Sequence, residues 1–133
     1  MRMKSLWAGC FLLILALTTS AVAQEGHPLT GVWYGEFGST PLSRNDLTVI
    51  LKWDGKTVTG IINPGPDVIS MKVVTLDSTK WTVHIEADAK DSSGNPVHFV
   101  IDGKLDNILS YKRTLTGAWS HGNVKGDFKL TRD

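Results

Sequence analysis

The chain has 133 residues, of which 41% are apolar, 20% charged and 8% aromatic, and its formal net charge is +1. That leaves room for one small domain. It excludes a disordered charged tail, a collagenous repeat and a nucleic-acid binder driven by excess charge.

The first element is a targeting segment. Arg2 and Lys4 precede an almost wholly apolar run over residues 6–17, and Ala21-Val22-Ala23 has the small-x-small form of a cleavage site. The pattern predicts a secretory signal peptide over residues 1–23, cut before Gln24, because a dozen or so apolar residues fall short of the roughly 20 that cross a bilayer. Residues 24–133 then form a single domain, secreted or periplasmic, with no membrane span. The one cysteine, Cys10, leaves with the segment, so no disulfide, thiol nucleophile or thiolate-bound metal is expected. Loss of Arg2 and Lys4 also makes the overall balance slightly acidic, which gives no general attraction to nucleic acid or anionic membrane.

From there on, apolar residues recur at period two, and no long stretch shows helical spacing. The first strand is read over residues 31–37, with Trp33, Gly35 and Phe37 on one face. A second follows over 45–53, carrying Leu47, Val49, Leu51 and Trp53. Asp54-Gly55-Lys56 turns into a strand over 57–63, and Asn63-Pro64-Gly65-Pro66-Asp67 must be a turn, since two prolines remove ladder donors. Residues 68–76 are apolar on both parities and leave the register open.

After Asp77-Ser78-Thr79-Lys80, residues 81–87 alternate cleanly, with Trp81, Val83, Ile85 and Ala87 to one side and His84 and Glu86 to the other. Residues 88–96 are expected to be the longest loop. Strands follow over 97–105, 110–121 and 124–131, the last two joined by Gly122-Asn123, with Tyr111, Arg113, Leu115, Gly117 and Trp119 sharing a face. Eight hairpin-linked strands predict an all-β fold, an antiparallel up-and-down barrel that leaves no open edge, with a β-sandwich as the alternative.

The opening Leu29-Thr30-Gly31-Val32-Trp33-Tyr34 resembles the first strand of calycin barrels, the group of lipocalins and avidins, and the avidin-like match runs on through Gly38-Ser39-Thr40. The resemblance implies that Trp33, after Gly31, plugs one barrel end and that Arg132 covers it from the last strand. Trp119, eight residues before Asp127, has an avidin-like spacing, and Ser39 and Asp127 stand where polar ligand contacts are implied. Gly35 replaces the asparagine that grips the biotin ureido group in avidins. Gly-x-Trp-x-Gly near the start, with Leu115-Thr116-Gly117-Ala118-Trp119 and Gly126-Asp127-Phe128-Lys129-Leu130 near the end, is also similar to small free-standing β domains of secreted bacterial proteins. That likeness implies an accessory or binding module and carries no activity.

Trp53, Trp81, Tyr111, Arg113 and Trp119 are the candidate ligand-binding residues, expected around the barrel mouth, where aromatic rings hold an apolar ligand. Arg113 interrupts an apolar face. It therefore needs either a strand-end carboxylate at the rim or a ligand carboxylate inside the cup. If Ala87 pairs with Val97, Glu86 lies opposite His98 with His84 diagonal to it, a pattern read as a solvated outer ion pair rather than a metal site. No catalytic signature, cofactor motif or metal set is found in the sequence. The expected function is a non-enzymatic binding module for a small apolar or amphipathic ligand. The alternative is an interaction or inhibitor module of filled interior that meets an envelope protein, and a hydrolase stands third.

Overall fold

A computed structural model describes residues 27–133, and the expected signal segment with its cleavage point lies outside the described residues. Eight strands follow one another: β1 (Gly31–Thr40), β2 (Ser43–Trp53), β3 (Val58–Ile62), β4 (Ile69–Asp77), β5 (Thr82–Lys90), β6 (Pro96–Asp106), β7 (Thr114–His121) and β8 (Val124–Arg132). Each pairs antiparallel with its neighbours in sequence, and β8 returns to β1, so the sheet closes on itself as an up-and-down barrel. Closure rules out the sandwich, and the described residues contain no helix.

Period two does the sorting. Trp33, Val49, Leu51, Val83, Ile85, Leu105, Leu115, Phe128 and Leu130 face inward and are buried, while no polar or charged side chain is buried among the described residues. Side-chain chemistry sets the turns. Asp54 Oδ1 accepts bonds from the amides of Lys56 and Thr57, both at 2.8 Å, and Asp77 Oδ1 accepts from Thr79 and Lys80 at 3.0 and 3.3 Å. Gly122 takes a left-handed φ of 55° between the paired residues His121 and Val124.

Three expectations are corrected. Residues 88–96 are not a long loop, because β5 runs to Lys90 and β6 starts at Pro96, leaving a five-residue turn that Asp91 braces through the amides of Ser93 and Asn95. The hairpin consequently pairs Ala87 with Phe99 and Asp88 with His98, a register two residues from the one expected. The seventh strand starts at Thr114 rather than Ser110, so the longest connection is the one between β6 and β7, and Tyr111 belongs to it. The uncertain register of the fourth strand has a physical cause. A bulge between Met71 and Val73 turns Val73 outward and returns Val74 and Leu76 to the inside.

An up-and-down meander gives the barrel two distinct ends. At one, the segment before β1 folds in: Leu29 and Trp33 are fully buried, and the indole Nε1 of Trp33 donates to the Leu29 carbonyl at 2.9 Å. This is the closed end. Trp33 pairs with Arg132 across the β1–β8 seam, and the Arg132 stem lies against Gly31, where an added Cβ would stand 2.9 Å from its Cδ.

Candidate functional site

The other end opens onto an apolar chamber of about 100 Å³. Phe37, Leu47, Ile69, Met71, Phe99 and Trp119 contribute half-buried side chains to it, and Val49, Ile62, Ile85 and Leu115 lie among its buried walls. Chain direction explains the gathering, since these residues sit toward the same end of alternating up and down strands. None of the lining residues is ionisable, and only Asn63 and Trp119 carry polar side-chain atoms. The carbonyl oxygen of the first and the indole N–H of the second are engaged. Asn63 Oδ1 accepts the Thr48 amide at 3.1 Å, and Trp119 Nε1 donates to the Asp127 carbonyl at 3.0 Å.

Trp119 is the organising residue of the mouth. It pairs with Ile101 and with Gly126, where a Cβ would come within 2.6 Å of the indole. The absence of a side chain at Gly126 therefore makes room for the ring. Phe37 meets Trp119 edge-on with centroids 5.9 Å apart, Phe99 lies at 6.1 Å, and His121 stacks on Trp119 and touches Phe99 at 4.8 Å. The result is an aromatic rim of four rings.

The five expected ligand residues do not share this mouth. Trp119 lines it, whereas Trp53, Trp81, Tyr111 and Arg113 stand at the closed end. Trp53 is stacked on His27 at 5.1 Å, Trp81 leads into β5 with a φ of 56°, and Tyr111 is exposed on the β6–β7 connection. Arg113 takes neither role foreseen for it: its Nε donates to the Ile108 carbonyl at 2.9 Å and its Nη1 to the Pro28 carbonyl at 2.8 Å. Burial and the neighbouring Arg132 charge both push its pKa below the usual arginine value. Asp127 points outward and forms an ion pair with Arg44, which also reaches Glu36 at 3.4 Å, so it offers nothing to the interior. At Gly35, a Cβ would fall 1.8 Å from the Lys129 carbonyl oxygen, so the asparagine of the avidin comparison has no room.

The signal for the true lining was present in the sequence. In a meander, the end of β1, the start of β2, the end of β5, the start of β6 and the end of β7 meet at one end, which selects Phe37, Leu47, Phe99 and Trp119. The same rule sends Trp53, Trp81 and Tyr111 to the opposite end.

A row of charges crosses the outer face of β4, β5 and β6. His84 bonds Asp102 through Nδ1 at 2.6 Å and Glu86 through Nε2 at 3.1 Å. His98 bonds Asp88 through Nδ1 at 2.6 Å and the other Glu86 oxygen through Nε2 at 2.9 Å, and Lys72 pairs with Asp88. Hydrogen bonds to these carboxylates hold both imidazoles above their ordinary pKa; the same bonds pull Glu86 below its ordinary value, and the bond from Lys72, followed by that from His98, pulls Asp88 below its own. Among the described residues no set of three or more metal-ligating side chains converges. Beside His84 a depression lined by Thr75, Thr82, Val83, Lys104, Thr116 and Ala118 is wide open to solvent.

Comparison with known proteins finds no family model, no characterised protein and no solved structure that matches this chain.

Proposed function

We propose that the chain is a non-enzymatic binding module, working outside the cytoplasm, whose open barrel end receives the apolar end of a small amphipathic ligand. One observation carries the reading: a chamber with an aromatic rim and no ionisable group in its lining, where the Asn63 side-chain carbonyl and the Trp119 indole N–H are already hydrogen-bonded. Such a lining attracts hydrocarbon and itself holds no acid or base, the His121 imidazole standing outside it on the rim. The placement of Trp33 and Arg132 on the first and last strands supports kinship with calycin barrels, and the pattern of residues 1–23 supports export.

Size limits the ligand. An apolar cavity of roughly 150 Å³ takes a benzene ring, and sites that enclose a whole drug-sized ligand start near 300 Å³. A chamber of about 100 Å³ suits the end of an alkyl chain, with the polar head left outside the rim. The same small volume favours, as second reading, an interaction module with an essentially filled barrel.

Titration with amphiphiles of one head group and increasing alkyl length, followed by tryptophan fluorescence, separates the two. Each methylene that enters strengthens binding by about 0.8 kcal/mol until the chamber is full, after which the gain stops. Trp119→Phe removes the signal, and Ile101→Phe, which fills the chamber, weakens binding. Absence of saturable binding at every length, or unchanged affinity in Ile101→Phe, overturns the carrier reading in favour of the interaction module.

A further inference from the structure

Four of the aromatic and basic residues that stand out in the sequence, Trp53, Trp81, Tyr111 and Arg113, gather at the closed end, where the chamber makes no use of them. The connection between β6 and β7 projects from this end. Leu109 is 103% and Tyr111 92% exposed, so two large side chains are presented wholly to solvent. The loop that carries them is braced. Ser110 donates to the Asn107 carbonyl at 3.0 Å, and Arg113 ties both Ile108 and the segment before β1 to its base. A knob held in place in this way gives up little conformational freedom when it docks.

Charge at the same end is also unbalanced. The β7–β8 ladder starts at Thr114–Thr131, and the Arg132 amide donates to the Arg113 carbonyl at 2.8 Å, so the two arginines sit opposite one another. Like charges so placed repel. Their guanidinium bonds run to main-chain carbonyls, those of Ile108, Pro28 and Thr30, and neither arginine forms an ion pair among the described residues. Lys112 adds a third cation beside them. Asp54 and Asp77 keep their charge while their own turns hold them, and with Asp106 and Asp133 they stand against Lys56, Lys80, Lys112, Arg113 and Arg132, so the cations are ahead only narrowly and cluster where β7 begins and β8 ends. Overall net charge hides this local excess.

We infer that the closed end docks on an anionic lipid surface, with Leu109 and Tyr111 entering the headgroup layer and Lys112, Arg113 and Arg132 meeting lipid phosphates. Apolar and aromatic tips flanked by lysine and arginine are the composition that settles at a membrane interface, where the rings lie at headgroup depth and the cations reach phosphate. A convex knob also suits a fluid layer, which needs no complementary pocket. Docked in this way, the barrel turns its open mouth away from the lipid.

The test is co-sedimentation of the protein, as released by a secreting host, with vesicles of phosphatidylcholine alone and of phosphatidylcholine mixed with about three parts in ten of phosphatidylglycerol. Binding is expected to the anionic vesicles and to fall with added salt. Leu109→Ser combined with Tyr111→Ser weakens it by about tenfold, and Lys112→Glu weakens it without altering the fold. Leu42→Ser, at a position 98% exposed on the opposite end, leaves it unchanged. Failure to bind anionic vesicles, equal binding to both compositions, or the same loss in Leu42→Ser as in the loop variants overturns the inference. None of these results bears on the chamber, whose alkyl titration is read separately.

Discussion

Trp33 of β1 and Arg132 of β8 are register partners at the seam where the barrel closes, and the indole Nε1 of Trp33 holds the Leu29 carbonyl at 2.9 Å. One residue therefore joins the first strand, the last strand and the segment that folds across the closed end. Trp33→Ala removes a fully buried indole and is expected to cost about 3–5 kcal/mol of stability in urea unfolding. Trp33→Phe keeps most of the volume but leaves the Leu29 carbonyl without its donor, for a smaller loss of about 1–2 kcal/mol. Near-equal stability of the alanine variant and the wild type would show that the indole is not the plug.

Gly35 makes a second closure point. With a Cβ 1.8 Å from the Lys129 carbonyl oxygen, Gly35→Ala forces β1 and β8 apart, and the expected result is a large drop in melting temperature. Gly55→Ala provides the comparison, because an added Cβ there meets nothing within 4 Å and only the backbone strain of its φ of 101° remains. If Gly35→Ala melts no lower than Gly55→Ala, the close approach of the two strands is not a constraint on the fold.

The charged row on the outer face predicts a pH optimum. His84 and His98 have raised pKa values, so their stabilisation is complete below the ordinary histidine value and is lost as pH rises through the raised one. Glu86 and Asp88 have lowered values, so theirs is complete above the ordinary carboxylate range and is lost as pH falls through the lowered one. The two windows overlap at about pH 5–6. His27, pushed down by burial, works in the opposite sense to the other two histidines as pH falls. Melting temperature is expected to be highest in that window and to decline toward pH 8, and the double variant His84→Gln with His98→Gln should flatten the decline. A wild-type profile as flat as that of the double variant would remove the row from any stabilising role.

Exposed side chains at the two ends should be thermally silent. Leu42→Ser, Leu109→Ser and Tyr111→Ser are expected to melt with the wild type, since none of the three side chains packs against the core. Calorimetry on these variants also establishes that any change in their lipid binding is not a folding effect.

Strand number and most strand faces and turns were legible in the sequence because period-two alternation and the residues that cap turns are local properties. Trp33, Leu51 and Leu115 could be assigned inward without knowing their neighbours, and Asp54-Gly55 and Gly122-Asn123 declared their turns. Register was less accessible. The pairing of Ala87 with Phe99 depends on how far two strands continue into a polar segment, and cross-strand bonds from Lys90 to Pro96 outweighed the loop-like composition there. The bulge after Met71 similarly appears only when β4 is laid against β5. The candidate site needed the closed barrel. Alternation says that Trp53, Trp81 and Trp119 face inward, but only the alternating strand direction sends the first two to the closed end and the third to the mouth. Net charge was likewise a sum over the chain, whereas the adjacency of Arg113 and Arg132 arises because β7 and β8 pair, a contact between residues that are distant in sequence.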